Sequence, residues 1–316
     1  MKTMKNKLTM FFAAVLFVLA LTPAVKAEAY GVDQIAAGTN DATVSWNPDT
    51  SSYLKGWYVY LNGSLVATLD PGVTTYTFTG LTQGYPYAVK VDYVYQYNNG
   101  SVKSYAKGST IVRTAPSKVK ETDVIWKQND YIDIYAYDSN IYTLSDGNSY
   151  LYADGFEFVI KDKNGKKKKT IDSNNSTSYG GGNAYFSAPS ALKNKGMQYT
   201  IRAYITLDNG QKVYGEAVTK VAVPQAKVTK LKRVGSSKIK VTWKKVSGAS
   251  SYTIYRTTNS GKTLKKIKKV SKNTTSYTVN RSYMNSSKKG IVIVANNVKI
   301  GKKKYNSIKS YYTYAY

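Results

Sequence analysis

KIKVTW, Lys238 to Trp243, alternates polar and apolar residues and ends on tryptophan. Successive side chains of a β-strand point to opposite faces, so this alternation reads as a strand with one buried face. ATVSW (42–46) has the same form far upstream, and the surroundings of the two stretches also answer each other. Trp57-Tyr-Val-Tyr60 matches Tyr252-Thr-Ile-Tyr255, and Thr75-Tyr-Thr-Phe78 matches Ser276-Tyr-Thr-Val279. A unit of roughly 90 residues is therefore repeated. Between the copies the same grammar recurs more loosely, in YIDIYAY (131–137), GFEFVIKD (155–162), QYTIRAYITL (198–207) and KVYGEAVTKVAV (212–223). Asn62-Gly63, Pro71-Gly72 and Asn99-Gly100 supply turns between strands. Ala115-Pro116 and Val223-Pro224 mark the joins, where proline stiffens the linker.

One stretch competes with this reading. GKTLKKIKKVSK (261–272) holds six lysines, and Leu264, Ile267 and Val270 recur at helical spacing. A basic helix for nucleic acid or a membrane would look like this. The stretch follows YTIYR (252–256) and the turn Thr258-Asn-Ser-Gly261, and it precedes TSYTV (275–279). A helix there would interrupt a strand series, so a short strand is expected.

Composition supports strands. The chain has 316 residues, 31 of them tyrosine, and aromatic and β-branched residues suit a pleated, half-buried surface. There is no cysteine and no histidine. Disulfides, thiolate nucleophiles, Ser-His-Asp triads and zinc sites built on Cys or His are excluded. Residues 1–27 have the form of a signal peptide. Lys2, Lys5 and Lys7 precede an apolar run from Leu8 to Leu21, Pro23 breaks it, and Val25-Lys26-Ala27 offers a cleavage site. The run is too short to favour a membrane span. The mature chain is expected to start near Glu28 as a soluble, secreted protein.

Together these features resemble a tandem of fibronectin type III domains of a bacterial exported protein. Trp46 and Trp243 stand where that family buries a tryptophan on its second strand. Leu81-Thr-Gln-Gly-Tyr-Pro-Tyr87 matches its leucine, glycine and corner tyrosine before the sixth strand. Leu192 to Tyr199, with Gly196, repeats the corner in the middle with one extra residue. The last unit departs, with Lys289-Gly290-Ile-Val-Ile-Val294 where the corner would fall, and Trp126 precedes the middle unit's best second strand. The resemblance implies an all-β chain of three tandem immunoglobulin-like sandwiches after the signal peptide. Their expected bounds are 28–115, 116–224 (a divergent copy) and 225–316. It also implies binding or spacing rather than catalysis, with no cofactor.

Charge is lopsided. The net charge is +28. Residues 28–115 hold five basic and six acidic groups, and residues 116–224 hold fourteen and twelve. Residues 225–316 hold twenty-three basic groups and no acidic one. Such a unit repels itself and projects a positive field that a polyanion relieves. In a sandwich the connection after the second strand, the end of the strand after the third, and the last hairpin share one end. Lys244, Lys245, Lys268, Lys269, Lys302, Lys303 and Lys304 are therefore expected to form a polyanion contact there. The partners in view are cell-wall teichoic acid, glycosaminoglycans and extracellular DNA. No reading helix or RNA-binding signature points to dedicated nucleic-acid recognition. The chain ends at SYYTYAY without a sortase-type signal, so retention at the cell surface is expected to come from charge.

Asp138 to Asp154 is a 17-residue link, longer than loops usually are without a role. Its Tyr142, Tyr150 and Tyr152 give it the mixture of a ligand-binding loop, and an extra hairpin with its tyrosines packed inside is the alternative. A spacing of eight between Asp138, Asp146 and Asp154 does not fit a compact calcium loop. Glu28, Glu121, Glu157 and Glu216 are the only mature glutamates and fall in different segments, so no carboxylate pair for glycoside hydrolysis is in sight. Gly180-Gly-Gly182 reads as a flexible turn. The expected function is a secreted, non-catalytic surface or adhesion protein. The alternative is a carbohydrate-binding or spacer accessory protein acting alongside separate extracellular enzymes.

Overall fold

The computed structural model describes residues 31–119, 121–126, 131–137, 141–144, 149–174, 181–187, 195–307 and 309–312. The expected signal peptide, Glu28, Asp138, Asp146, Gly180 and Leu192 lie outside the described residues. Buried residues fall into three clusters, spanning Val32–Val112, Val119–Ala222 and Val223–Ile300.

The first sandwich contains β1 (Val32–Ala37), β2 (Asp41–Trp46), β3 (Leu54–Leu61), β4 (Ser64–Leu69), β5 (Thr75–Thr79), β6 (Pro86–Gln96) and β7 (Val102–Arg113). One sheet has the order β1-β2-β5 and the other β4-β3-β6-β7. On β2 every second residue, Ala42, Val44 and Trp46, turns inward. They meet Trp57 and Val59 of β3 and Val89 and Val91 of β6. Trp46 and Trp57 pack edge to face with ring centres 5.6 Å apart, a favoured aromatic geometry. The corner before β6 forms as its sequence implies. The Tyr87 hydroxyl accepts from the Thr82 amide at 2.8 Å, Leu81 is buried, and Gly84 takes φ +73°, which a side chain would resist.

The middle sandwich contains β8 (Glu121–Trp126), β9 (Tyr131–Tyr137), β10 (Ile141–Thr143), β11 (Ser149–Leu151), β12 (Gly155–Asp162), β13 (Lys167–Asn174), β14 (Gly181–Ser187), β15 (Met197–Thr206), β16 (Lys212–Tyr214) and β17 (Val218–Ala222). β14-β9-β8 faces the sheet β13-β12-β15-β16, with β17 also pairing β15. Trp126 thus ends the first strand of this copy. One expectation changes and one alternative is met. Gly181 and Gly182 begin β14, opposite Tyr137 and Ala136; an edge strand tolerates glycine, and this one completes the smaller sheet. The 17-residue link contains the hairpin β10–β11, with Tyr142 opposite Tyr150 in the backbone register.

The last sandwich contains β18 (Val228–Val234), β19 (Lys238–Trp243), β20 (Ser251–Thr257), β21 (Lys265–Ser271), β22 (Ser276–Asn280), β23 (Gly290–Asn296), β24 (Val298–Ile300), β25 (Lys303–Tyr305) and β26 (Ser310–Tyr312). The orders β18-β19-β22 and β21-β20-β23-β26 repeat those of the first sandwich. The missing corner is replaced by a 3-10 helix, Arg281–Met284, capped by the Asn280 side chain, which drops Met284 into the core. The ambiguous GKTLKKIKKVSK is the edge strand β21. A β-bulge lies between the pairs Ile254↔Lys268 and Tyr255↔Lys266. A bulge inserts one residue and breaks strict alternation, so Ile267 and Val270, three apart, both pack on the core. That bulge accounts for the helix-like spacing.

Candidate anionic-polymer surface

The three-stranded sheet of the last sandwich turns one face inward through Ile239, Val241 and Trp243. Its other face takes the intervening residues. Lys238 and Lys240 of β19 are exposed there, as are Lys230 and Lys232 of β18. In register, Lys230 stands opposite Thr242, Lys232 opposite Lys240, and Val234 opposite Lys238. β22 extends the face with Ser276, Thr278 and Asn280. Like charges directly opposite in a sheet destabilise it, and residues 225–316 hold no carboxylate to separate them. Residues two apart on a strand are about 6.7 Å apart, so the four lysines share one face of the sheet, edged by Ser276, Thr278 and Asn280.

The seven lysines expected at one end are only partly brought together. Lys245 lines an open cleft of about 830 Å³ with Ser250, Ser271, Lys272 and Asn273. Lys244 is half-buried, and its amide donates to the Lys227 carbonyl at 2.7 Å. The loop is pinned by the buried Tyr252, whose hydroxyl accepts from the Val246 amide at 2.8 Å. Burial pushes the Tyr252 phenol up, and the Val246 amide opposes this in part. Lys268 and Lys269 are exposed on β21, opposite Ile254 and Thr253. Lys302, Lys303 and Lys304 are exposed on the β24–β25 hairpin, which turns toward the middle sandwich. There the Gly301 amide donates to the Lys163 carbonyl at 2.7 Å. A Cβ on Gly196 would sit 2.5 Å from the Ile300 side chain, so the corner glycine of the middle unit serves this close approach. Lys163 and Lys272 therefore join the basic surface, and the field on β18 and β19 adds Lys230, Lys232, Lys238 and Lys240.

The middle sandwich treats its charges differently. Glu157 stands opposite Arg202 and accepts from its Nε at 2.7 Å. Arg202 lies over the Tyr214 ring at 3.6 Å and Lys212 over the Tyr204 ring at 3.9 Å. Lys212 also reaches Asp172 at 3.2 Å. Burial works to lower the Lys212 ammonium, but Asp172 and Tyr204 outweigh it and hold it above its ordinary value. Asp154, whose spacing from Asp146 does not fit a calcium loop, receives Arg113 through both carboxylate oxygens, at 2.6 and 3.0 Å, and the Thr206 amide at 2.7 Å. Of the glutamates, Glu216 pairs with Lys118 at 2.7 Å. Among the described residues no cluster of acidic side chains could hold a metal.

The tyrosine loop is corrected at one position. Tyr152 is 0 % exposed and sits in the core with Phe156, so it is not on offer to a ligand. The side chains of Tyr142 and Tyr150 lie outside the described residues.

Two copies share an order of three strands against four, a buried tryptophan on the second strand, and an aromatic partner for it on the third. The fold is that of fibronectin type III sandwiches in tandem. No protein-family model matches the sequence, and neither does any curated protein. Solved structures similar to it include the central fibronectin type III array of RIM-binding protein, at 12% identity over 88% of this chain and 94% of that one, with a TM-score of 0.23. The FN1–FN3 domains of chicken CNTN1 match at 15% identity over 90% and 98%, with a TM-score of 0.26. A two-domain fibronectin type III segment of chicken tenascin matches at 8% over 61% and 97%, with a TM-score of 0.28. At these scores the likenesses add no argument to the strand order itself. No helix among the described residues is long and apolar enough to cross a membrane.

Proposed function

We propose that this is a secreted, non-catalytic surface or adhesion protein whose basic last sandwich holds an anionic polymer such as teichoic acid, a glycosaminoglycan or extracellular DNA. The observation behind this reading is the pair Lys232 and Lys240, set directly opposite one another in a unit with no acidic residue. A fold that needed only solubility gains nothing from that juxtaposition; a bound polyanion removes the repulsion and releases its own counterions. The contact comprises Lys245, Lys268, Lys269 and Lys302–Lys304 with Lys244 behind them, extended by Lys272 and by the field on β18 and β19. Charge then supplies retention at the cell surface.

The test is retention of the full chain on immobilised teichoic acid, heparin and DNA across a salt series. The expected result is binding whose logarithm falls linearly with the logarithm of salt, steeply enough to mark several neutralised anions. Indifference to all three polymers at low ionic strength overturns the proposal. A spacer or accessory role alongside separate extracellular enzymes is the second reading. It is favoured by the joint between the first two sandwiches. Arg113 at the end of β7 grips Asp154, and the Gln34 amide donates to Asp208 at 2.6 Å, which together hold the units in a fixed relation.

A further inference from the structure

At the opposite end of the first sandwich from the Arg113 joint, the tip is built from tyrosine. Tyr53 comes from the β2–β3 connection, Tyr95 and Tyr97 from the end of β6, and Tyr105 from β7. Tyr53 and Tyr97 have ring centres 5.3 Å apart, and Tyr95 and Tyr105 5.8 Å apart. The Tyr97 and Tyr105 hydroxyls meet at 3.2 Å. These rings are not all sealed in a core. Tyr53 is 41% exposed and Tyr105 45% exposed.

The cluster is held rigid from below. The Tyr95 hydroxyl donates to Asp49, whose other carboxylate oxygen accepts from the Ser51 amide at 2.9 Å. The Gln96 amide donates to the Tyr53 carbonyl at 2.9 Å, tying the loop to β6. The hairpin closes through Tyr97 and Ser101, with the Asn99 side chain accepting from Ser101 twice. Between loop and hairpin lies an open cleft of about 400 Å³, lined by Ser52, Tyr53, Lys55, Gln96, Tyr97 and Asn98 among others. That volume falls within the usual range for ligand sites, roughly 300–1,000 Å³.

The fold does not require these tyrosines. The last sandwich pairs the same strands in the same order without them. There Tyr252 takes the place of Trp57, and its partner on β23 is Ala295 where Trp57 faces Tyr93. Two residues further on, Tyr95 is answered by Asn297. Ser307, whose amide donates to Ala295, answers Tyr105, which faces Tyr93. Between Asn297 and Ser307 the last sandwich carries the β24–β25 hairpin, with Val298 and Ile300 buried and Lys302–Lys304 exposed; the first closes this end with a short turn and an aromatic cluster.

We propose that this tip is a carbohydrate-binding site for a short stretch of neutral polysaccharide, with Tyr53, Tyr97 and Tyr105 beneath the sugar faces and Ser52, Gln96 and Asn98 at the hydroxyl rim. A sugar ring has an apolar C–H face and a polar edge. Exposed tyrosines give it rigid, amphipathic area at low entropic cost, and amides and hydroxyls around them read its edge. The patch is small beside the roughly 800 Å² per partner of a stable protein interface, which favours a slender polymer over a protein. Lys55 is the only charged side chain lining the cleft, and one cation does not make a polyanion track. The site is independent of the basic unit and of the polymer proposed for it.

The test is binding of the full chain to soluble xylan, chitin and β-glucan oligosaccharides and to an array of neutral glycans, at low and high salt. We expect binding to at least one that is insensitive to salt. Tyr97→Ala, or Tyr53→Ala with Tyr105→Ala, should weaken it about tenfold or more, while Tyr97→Phe keeps most of the affinity. Replacing Lys230, Lys232, Lys238 and Lys240 should leave it unchanged. Unaltered thermal unfolding of each variant separates loss of the site from loss of the fold. The proposal is overturned by failure to bind every neutral glycan, by binding that survives all three tyrosine-to-alanine changes, or by binding that salt abolishes. The last outcome would assign the interaction to the lysines and leave the polyanion reading intact.

Discussion

Trp46 meets Trp57 in the first sandwich as Trp243 meets Tyr252 in the last, at the same 5.6 Å and at 60° and 61° between the rings. Around these pairs the strands run in the same order. The outer faces of the two smaller sheets nevertheless carry opposite chemistry. In the first, Asp33 stands opposite Ser45, Ala36 opposite Thr43, and Asp41 opposite Thr79. The corresponding positions in the last are Lys230, Lys232 opposite Lys240, and Lys238. The Thr43 hydroxyl meets Thr77 at 2.9 Å across the sheet, where the last sandwich has Lys240 beside Thr278. Inward positions keep their apolar character because the core dictates them, whereas outward positions are free to change. Here they have changed in charge on one face and in aromaticity at one tip, the two features on which the proposed anchoring and the proposed recognition rest.

The comparison breaks first at the core. Trp243→Ala should cost about 3–5 kcal/mol, and Trp46→Ala a similar amount. In chemical denaturation followed by domain-specific probes, each change should move the transition of its own sandwich. A single shared shift would mean that the units do not unfold separately. The next test transplants a face. Lys230→Asp, Lys232→Ala, Lys238→Asp and Lys240→Thr together give the last sandwich the outer face of the first. Affinity for an anionic polymer at low salt should fall about a hundredfold, and the slope against the logarithm of salt should flatten by about 3 to 4. Retention unchanged on a heparin column would clear this face of any part in binding.

Smaller effects sharpen the contrast. Tyr87→Phe removes the hydroxyl that accepts from Thr82 and should lower stability by about 1 kcal/mol in the first sandwich only, read as a shift in Tm. Lys232→Thr relieves the opposed lysines and should raise stability at low salt by a few tenths of a kcal/mol, a gain that vanishes as salt is added. At the aromatic tip the hydrogen bond to Asp49, with burial behind it, pushes the Tyr95 phenol up to about 12. Ultraviolet titration should show a late-ionising tyrosine signal that Asp49→Asn brings back toward the ordinary value. Asp49 itself is held below the usual carboxylate range, chiefly by that same hydroxyl. Its contribution is therefore present above the ordinary carboxylate value and is lost as pH falls through its depressed one, loosening the tip only in strong acid.

Much of this was legible in the chain. Alternation in ATVSW and KIKVTW marks the second strand of each outer copy, and the corner at Leu81–Tyr87 forms as its residues imply. Register was not legible. Lys230-Thr-Lys232 and Lys238-Ile-Lys240 each alternate in plain view, but only strand pairing sets Lys232 against Lys240. The seven lysines grouped by topology divide because the β24–β25 hairpin bends toward Lys163, a contact between units that no local pattern announces. Tyr152 looked like a binding-loop residue because composition does not distinguish a tyrosine that faces a ligand from one that faces a core. Tyr93, Tyr95 and Tyr97 alternate along the sequence as on one face of a strand, but nothing local brings Tyr53 to them from a separate loop.

The bulged strand Lys265–Ser271 has one more consequence. It forms the outer margin of its sheet, and Lys265, Lys266, Lys268 and Lys269 lie along it. An open margin of backbone donors and acceptors invites another chain to add a strand, and a kink lined with cations refuses the invitation. If the protein crowds onto a polymer as proposed, neighbouring molecules are thereby kept from knitting their sheets together, and a dense coat would stay a layer of separate particles.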